Sequence, residues 1–316
     1  MLSGEQIGQL MDRIREQFAM AQDAEITMEV NPGTASAEKL RNFYTAGINR
    51  LSIGMQSAQA EELKNLGRIH DFEGFCQVYR EAVEAGFTNI NVDIMSGLPG
   101  QTLASYRDTL EKVLHLEPMP QHISAYSLIV EEGTPFAAMA ERGELPLPEE
   151  ETERAMYEET IEVLAKYGFH RYEISNYARD GYECRHNVGY WIRRDYLGFG
   201  IGAASLIDNV RFQNEKSLGA YLAHPLESRE EEQTLTVQDR MEETMFLGLR
   251  LTRGVSCVDF AEQYGRTVEE VYGEVIARNV ADGLLTVTER KENQKKDRFL
   301  ALTKRGLDLS NYVMAQ

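Results

Sequence analysis

The sequence predicts an α/β fold, in which a barrel of parallel strands precedes a small winged-helix-like α+β module. Three observations lead to this prediction. A helix–glycine–strand unit recurs along the first half of the chain, polar residues gather where the predicted strands end, and the last quarter changes to helices followed by a hairpin. The length of 316 residues is enough for one barrel-sized domain and a smaller one.

The repeated unit first occurs at 46–54, returns at 85–93, and occurs more loosely at 167–175. In each copy a glycine closes a helix, where a left-handed residue costs least, and a short strand rich in β-branched residues follows. Two further strands are predicted at 25–30 and 122–128. Helices that alternate with strands at this spacing imply parallel strands joined by right-handed crossovers, and the simplest closed arrangement is a barrel.

The C-terminal part predicts helices over 238–251, 255–264 and 268–282, then a hairpin from 283–287 that returns through 298–303. A DNA-binding winged helix needs a basic recognition helix, whereas 268–282 carries four acidic residues against one arginine. We therefore expect a packing or lid role. The predicted organisation is a partial barrel (1–180), a segment that extends it (181–213), a linker rich in Glu and Ser (214–236) and the module (237–316).

Composition limits the partners and the compartment. The formal net charge is −18, and a surface this acidic repels phosphate backbones, so no nucleic-acid partner is expected. The basic cluster at 290–298 alternates with acidic residues and is interpreted as a solvated loop. The chain contains no apolar run of membrane-spanning length and no export signal. Cys76, Cys184 and Cys257 lie far apart, which is typical of a reducing compartment. These features predict a cytoplasmic protein.

Polar residues follow five of the predicted strands. Any one of these motifs could be a turn or a helix cap. Together they predict a site, because barrel proteins build their active sites at the carboxyl ends of their strands. The motifs are Glu29-Val-Asn31-Pro32-Gly33, Ser52-Ile-Gly54-Met-Gln56-Ser57, Asp93-Ile-Met-Ser96-Gly97-Leu98-Pro99-Gly100-Gln101, Ser124-Ala-Tyr126-Ser127 and Glu173-Ile-Ser175-Asn176.

Read in order, these motifs resemble the oxygen-independent coproporphyrinogen III oxidase-like branch of the radical S-adenosylmethionine (SAM) proteins. Arg50-Leu-Ser-Ile-Gly-Met-Gln and Asn65-Leu-Gly-Arg68 contribute to the match, which runs along the whole chain. The resemblance implies a (β/α)6-type partial barrel in which Glu29, Gln56, Arg68 and Asp93 contact SAM. Two carboxylates suit ribose hydroxyls and an amino group, the amide can donate and accept, and the guanidinium can bind a carboxylate as a fork. The alternative for Arg68 is a surface ion pair.

The segment His186-Asn187-Val-Gly-Tyr190-Trp191 is similar to a motif of the haem chaperones in this family. The resemblance implies that haem binds at His186, Asn187, Tyr190 and Trp191, with His186 as a ligand of the haem iron. An imidazole is a natural axial ligand, and Tyr and Trp offer flat surfaces to a macrocycle. In a helix His186 and Tyr190 would share a face. The alternative is a structural histidine and a core tryptophan. The glycine-rich run at 198–205 is interpreted as close-packed backbone that flanks the same pocket.

One family feature does not occur in the sequence. Members hold a [4Fe–4S] cluster with a Cys-x-x-x-Cys-x-x-Cys motif, which is not found here, nor is the Gly-Gly-Thr-Pro segment that meets SAM. We expect both to precede residue 1, so that the chain is a truncated member. As given, it should assemble no cluster and cleave no SAM, and no catalytic residue is assigned. The predicted strand 25–30 would then be a sheet edge through which copies of the chain could associate.

Three functions remain open from the sequence. The first is a haem chaperone that passes haem to accepting proteins, with peripheral membrane association through haem-enzyme partners. The second is the oxidase, an enzyme that decarboxylates propionate side chains of coproporphyrinogen III. The third is an inactive fragment whose C-terminal module binds a partner. The motif at 186–191 favours the first.

Overall fold

The computed structural model describes residues 2–225, 229–292 and 295–316. The chain divides into two compact units. The first holds the residues up to 171 together with 175–183, and the second holds 172–174 together with 184–316. The predicted boundary at 180 lies close to this division. The predicted segments after 180, in contrast, belong to one unit.

The first unit alternates helices and strands, as the repeat predicts. Gly47 and Gly86 close their helices with φ of 99° and 111°, the left-handed conformation expected of both. Its elements are α1 (Gly4–Gln17), β1 (Thr27–Val30), α2 (Ala37–Ala46), β2 (Arg50–Gln56), α3 (Ala60–Asn65), α4 (Phe72–Ala85), β3 (Ile90–Ser96), α5 (Leu103–Leu114), β4 (His122–Ser127), α6 (Pro135–Glu141), α7 (Glu150–Lys166), β5 (His170–Arg171) and β6 (Asn176–Ala178).

These strands form one sheet in the order β1-β2-β3-β4-β6-β5. The first four are parallel, which confirms the partial barrel. Among the strands that the structure describes, β1 lies at the edge of the sheet. The expected strand over 167–175 is reduced to β5, which runs in the same direction as the first four strands but is separated from β4 by β6. Strand β5 has two residues and pairs with β6, which is antiparallel to β4. The connection 172–175 is too short for a parallel crossover, which needs about a dozen residues.

The two faces of this sheet differ in chemistry because polar and apolar residues alternate along β2, β3 and β4. Leu51, Ile53 and Met55 are fully buried and pack into the core, together with Leu40 and Phe75 from the helices. Cys76 packs against this core and is partly buried. The residues between the apolar ones lie on the opposite face, which is polar and carries the candidate site.

The second unit contains two three-stranded sheets, in the orders β7-β8-β9 and β10-β12-β11. A core of Met241, Phe260, Leu284 and Leu300 supports the helices and hairpin of the predicted winged-helix-like module. The elements are α8 (Arg185–Trp191), β7 (Ala204–Ile207), β8 (Val210–Asn214), α9 (Leu218–Ala223), β9 (Arg229–Thr234), α10 (Val237–Gly248), β10 (Val255–Ser256), α11 (Cys257–Tyr264), α12 (Val268–Ala281), β11 (Leu285–Glu292), β12 (Lys295–Leu302), α13 (Lys304–Asp308) and α14 (Ser310–Met314).

Two expectations for this unit are corrected. The predicted linker 214–236 contains α9 and β9, and β9 pairs with β8; its residues 226–228 lie outside the described residues. An edge strand that is largely exposed needs no apolar face, so its polar composition resembled that of a linker. The predicted basic loop 290–298 belongs to the β11–β12 hairpin, and its residues 293 and 294 lie outside the described residues. None of the described helices is apolar over a length that would cross a membrane.

Candidate functional site

The carboxyl ends of the four parallel strands carry Glu29, Gln56, Asp93 and Tyr126. Their positions follow from the register, in which Glu29 lies opposite Ser52 and Asp93 lies opposite both Gly54 and Ser124. Parallel strands end at the same edge of a sheet, so the side chains that the sequence singled out on separate strands converge there.

Three polar side chains of the site lie around Gly54. A β-carbon at this position would lie 2.9 Å from Gln56 Nε2, 3.4 Å from Asn31 Oδ1 and 4.0 Å from Asp93 Oδ2. Glycine therefore lets three polar side chains approach the strand backbone. The pairing of β2 with β3 shifts register between Gly54 and Gln56, and Gln56 has φ of 68°, which is rare outside glycine. A backbone irregularity of this kind is typical of functional sites.

Arg68 reaches the same site through Asn31. Its Nη1 donates to Asn31 Oδ1 over 3.0 Å, and within the described ranges it makes no ion pair with a carboxylate. The alternative of a surface ion pair is therefore not what the structure shows. The sequence placed Asn31 in a strand-end motif but assigned it no role in binding SAM, because Asn-Pro-Gly is a common turn signal. The signal that could have identified it is its position two residues after Glu29, at a strand end.

Tyr126 is the second residue that the sequence placed in a strand-end motif without assigning it a role. Its hydroxyl donates to Gln56 Oε1 over 3.0 Å. Burial, followed by the charges of Asp93 and Glu29, raises the pKa of Tyr126 to about 12, while the hydrogen bond with Gln56 and the charge of Arg68 act in the opposite direction. All four predicted SAM residues thus influence the pKa of the Tyr126 hydroxyl. This hydroxyl stays protonated at neutral pH and can donate a hydrogen bond.

A hydrogen-bond network holds the Asp93 carboxylate. Asn91 Nδ2 donates to Asp93 Oδ1 over 2.7 Å, and Ser52 Oγ lies 3.3 Å from Oδ2. Burial raises the pKa of Asp93, the hydrogen bonds from Asn91, Ser124 and Ser52 lower it, and the charge of Glu29 raises it further. Glu29 itself is exposed. Two carboxylates, an amide and a guanidinium around one cradle fit a ligand with hydroxyl, ammonium and carboxylate groups.

His122 lies under this network and is fully buried. Its Nδ1 is 2.6 Å from Asn91 Oδ1. The Asn91 amide nitrogen donates to Ser52 and Asp93, so Asn91 Oδ1 is an acceptor and His122 Nδ1 carries the proton. Burial and, second, the positive charge of Arg50 hold the pKa of His122 well below its ordinary value.

We expect His122 to make the stability of the first unit depend on pH. A histidine that stays neutral when folded stabilises the protein above its unfolded pKa of 6.5, and that contribution is lost as the pH falls, by up to about 1.4 kcal/mol per pH unit. In His122→Gln the free energy of unfolding should fall less steeply between pH 6.5 and 5, measured by urea denaturation. The exposed His115→Gln should keep the wild-type slope. Equal slopes in wild type and His122→Gln would show that folding does not lower the pKa of His122.

The second unit carries the segment that the sequence associates with haem, on α8. His186 is exposed, and its ring meets Tyr190 edge-on at 4.7 Å between centroids, which confirms the shared face. Tyr190 meets Tyr196 in the same way at 4.7 Å. Tyr196, which the sequence interpretation missed, extends the aromatic row beyond the helix.

Trp191 lies apart from this row. The Arg250 guanidinium lies over its ring at 4.4 Å from the centroid. The Trp191 Nε1 is buried, and no described residue accepts a hydrogen bond from it. Successive helical residues point about 100° apart, so Tyr190 and Trp191 cannot share a face. Asn187 is half-buried on the same helix. The structure therefore brings His186 and Tyr190 together, and it places Trp191 against Arg250.

An exposed apolar loop follows Tyr196. Leu197, Phe199 and Ile201 are 45%, 71% and 49% exposed. Asn214 Nδ2 holds this loop by donating to the carbonyl oxygens of Gly198 and Gly200, over 3.1 and 2.9 Å. A β-carbon at Gly198 would overlap the carbonyl oxygen of Ala204, which confirms close-packed backbone at that position. An exposed imidazole, an aromatic row and an apolar loop are the components of a site for a flat apolar molecule.

The described residues do not fit an iron–sulfur cluster. They contain no group of three His, Cys, Asp or Glu side chains that could hold a metal ion.

Comparison with known proteins identifies relatives along most of the chain. Residues 3–113 match the Radical SAM superfamily, and residues 235–309 match the HemN C-terminal domain. The chain is 39% identical over 295 residues to the heme chaperone HemW of Bacillus subtilis (strain 168), which covers 91% of this chain and 76% of the relative. It is 35% identical over 313 residues to the heme chaperone HemW of Lactococcus lactis subsp. lactis (strain IL1403), covering 99% of this chain and 80% of the relative.

A solved structure shares the fold. The coproporphyrinogen III oxidase HemN from Escherichia coli, described as a radical SAM enzyme, superimposes with a TM-score of 0.81 at 24% identity. The match covers 99% of this chain and 74% of that one.

Proposed function

Because the chain belongs to the HemN-like family of radical SAM proteins, which includes the heme chaperones HemW, we propose that it is a haem chaperone: it binds haem on the second unit and passes it to haem-accepting proteins. The observation that carries the proposal is a row of ring contacts that begins at the exposed His186. The His186 ring contacts Tyr190, Tyr190 contacts Tyr196, and the exposed apolar loop 197–201 follows Tyr196 in the chain. Delivery in the cytoplasm, to soluble partners or to haem enzymes at a membrane surface, is part of the proposal.

The chemistry of these groups suits a macrocycle that must later be released. An exposed imidazole can ligate the iron from one side without a closed pocket around it. Phe199, Leu197 and Ile201 offer apolar contact to the porphyrin plane, while Tyr190 supports the His186 ring edge-on. Trp191 supports the helix from its other side through Arg250. An open site of this kind gives up its ligand more readily than a buried one, as delivery requires.

The first unit is proposed to bind SAM at Glu29, Gln56, Arg68 and Asp93, with Asn31 and Tyr126 as additional contacts. Asn31 orients the Arg68 guanidinium and Tyr126 orients the Gln56 amide, so that both recognition groups are held before the ligand arrives. Bound SAM would supply a carbon–sulfur bond that its sulfonium group activates for cleavage. That cleavage would need a [4Fe–4S] cluster.

A haem titration of the intact chain tests the chaperone proposal. Binding of hemin should shift the Soret band, and His186→Ala should lose this shift or weaken the affinity at least tenfold, because the iron ligand is removed. Phe199→Ser should weaken binding but keep the Soret position, because it removes apolar contact and leaves the ligand. The matched control is His115→Ala, an exposed histidine of the first unit. An unchanged Soret shift in His186→Ala would contradict the proposal.

A further inference from the structure

The C-terminal module contains a partly open cavity of about 450 Å³ between α10, α12 and the β11–β12 hairpin. This size is within the range of small-molecule sites. The wall is largely apolar, and its central side chains are Met245, Leu249, Ile276 and Leu300. The cavity lies entirely within the second unit and involves none of the residues proposed to bind haem or SAM.

Two buried polar atoms in the wall have no hydrogen-bond partner among the residues that the structure describes. Asn279 is 1% exposed; its Nδ2 donates to the carbonyl oxygen of Val275 over 2.9 Å, while its Oδ1 accepts nothing. The hydroxyl of Tyr272 is also buried without a partner. Native proteins rarely leave such atoms unsatisfied, because each costs about 1–3 kcal/mol. Both residues line the cavity, and a small rotation of either side chain would present its oxygen to a ligand with hydrogen-bond donors.

The charge on the cavity wall favours a ligand of positive charge over one of negative charge. Glu242 is the one charged side chain among the residues that line the cavity. Gln238 Nε2 donates to Glu242 Oε1 over 2.6 Å, but no Lys or Arg pairs with this carboxylate in the part of the chain that the structure describes. Burial, followed by the charge of Glu242, raises the pKa of Tyr272 to about 12. A carboxylate ligand would meet an uncompensated negative charge, whereas an ammonium group would neutralise it.

We propose that this cavity binds an apolar amine. Its hydrocarbon body would contact Met245, Leu249 and Ile276, and its N–H groups would donate to Asn279 Oδ1 and Tyr272 Oη. Glu242 would balance its charge. The site is independent of the haem and SAM proposals, because it shares no residue with either.

Calorimetric titration with a matched pair of probes tests the proposal on the intact chain. 2-(1-Naphthyl)ethylamine should bind at least tenfold more tightly than 3-(1-naphthyl)propionate. Methyl NMR should show shifts at Met245 and Met314, which line the cavity, and none at Met55 in the first unit. Equal affinity for both probes, no binding of the amine, or shifts elsewhere would overturn the proposal.

Two variants separate the roles of the wall residues. Glu242 is exposed, so the Glu242→Gln protein should fold normally. This variant should reduce the preference for the amine over the acid about tenfold. The control Glu262→Gln, also at an exposed position, should leave the preference unchanged. Tyr272→Phe removes one acceptor of the ammonium N–H groups and should weaken amine binding severalfold, although the charge of Glu242 is still in place. An amine preference that survives Glu242→Gln would contradict the assigned role of this charge.

Discussion

Replacing Glu243 by Gln is expected to lower the free energy of unfolding of the second unit by about 3–5 kcal/mol. The Glu243 side chain is 7% exposed and accepts hydrogen bonds from two arginines, Arg193 Nε over 2.8 Å and Arg211 Nη1 over 2.6 Å. Arg193 is equally buried, with 5% of its side chain exposed. Without the carboxylate, the guanidinium of Arg193 stays in the interior with no charge to balance it, and this uncompensated charge is the source of the loss.

The same ion triad anchors the helix that carries His186. Arg193 lies two residues after α8, has φ of 55°, and also donates to Asn209 Oδ1 over 3.1 and 3.2 Å. Glu243→Gln should therefore loosen the end of α8, and hydrogen exchange of its amides should speed up together with those of α10.

Urea denaturation, followed by hydrogen exchange at peptide resolution, measures this loss. The matched control is Glu269→Gln, which breaks the half-exposed Glu269–Arg298 pair on the same unit and should cost less than about 1 kcal/mol. A loss of that small size in Glu243→Gln would mean that water solvates both arginines in the variant.

Asp93→Asn is expected to act in opposite directions on stability and on ligand binding. Burial raises the folded-state pKa of Asp93 above its unfolded value of 3.8. The charged carboxylate therefore destabilises the fold progressively as the pH rises from 3.8 through the folded pKa, and this cost persists at neutral pH. Asparagine keeps the acceptor for Asn91 and carries no charge, so the variant should be more stable than wild type at pH 7 and lose this advantage below pH 4.

Binding of SAM should weaken in the same variant, because a charged acceptor for ribose or ammonium groups is lost. A hydrogen bond to a charged group contributes about 1.5–3 kcal/mol, so the affinity should fall roughly tenfold to 150-fold. Equilibrium dialysis with SAM and urea denaturation between pH 4 and 7 measure the two effects. Glu84→Gln, an exposed position on α4, should change neither. An Asp93→Asn protein that is less stable at pH 7 would show that the hydrogen bonds to the carboxylate outweigh its burial.

Local patterns were sufficient for most elements of the first unit. Glycines that close helices and alternating strands located β2 and β3, and the parallel pairing followed from the spacing between them. The same reasoning was incomplete at 167–175, where the strand has the predicted direction but ends after two residues, and the chain reverses into β6, which lies between it and β4. Whether a strand is followed by a helix or by a reversal depends on what it pairs with, and no local pattern contains that information.

The site shows the same limit at the level of single residues. Glu29, Gln56, Arg68 and Asp93 could be named from strand ends and family motifs. Asn31 resembled part of a turn and Tyr126 an ordinary aromatic residue of a strand, yet their hydrogen bonds orient Arg68 and Gln56. Trp191, in contrast, was expected beside His186 and packs under Arg250.

The periodicity of side chains along the chain sets which residues face the core, because that periodicity is a property of the backbone. It therefore decided the α/β class, the polar face of the sheet and the pairing of His186 with Tyr190. The register between strands decided the rest. It places Gly54 opposite Asp93, so that Asn31, Gln56 and Asp93 converge over a residue without a side chain. It also makes 229–234 a strand rather than a linker. Both the convergence around Gly54 and the strand at 229–234 depend on contacts between residues far apart in sequence, and only the folded chain brings such residues together.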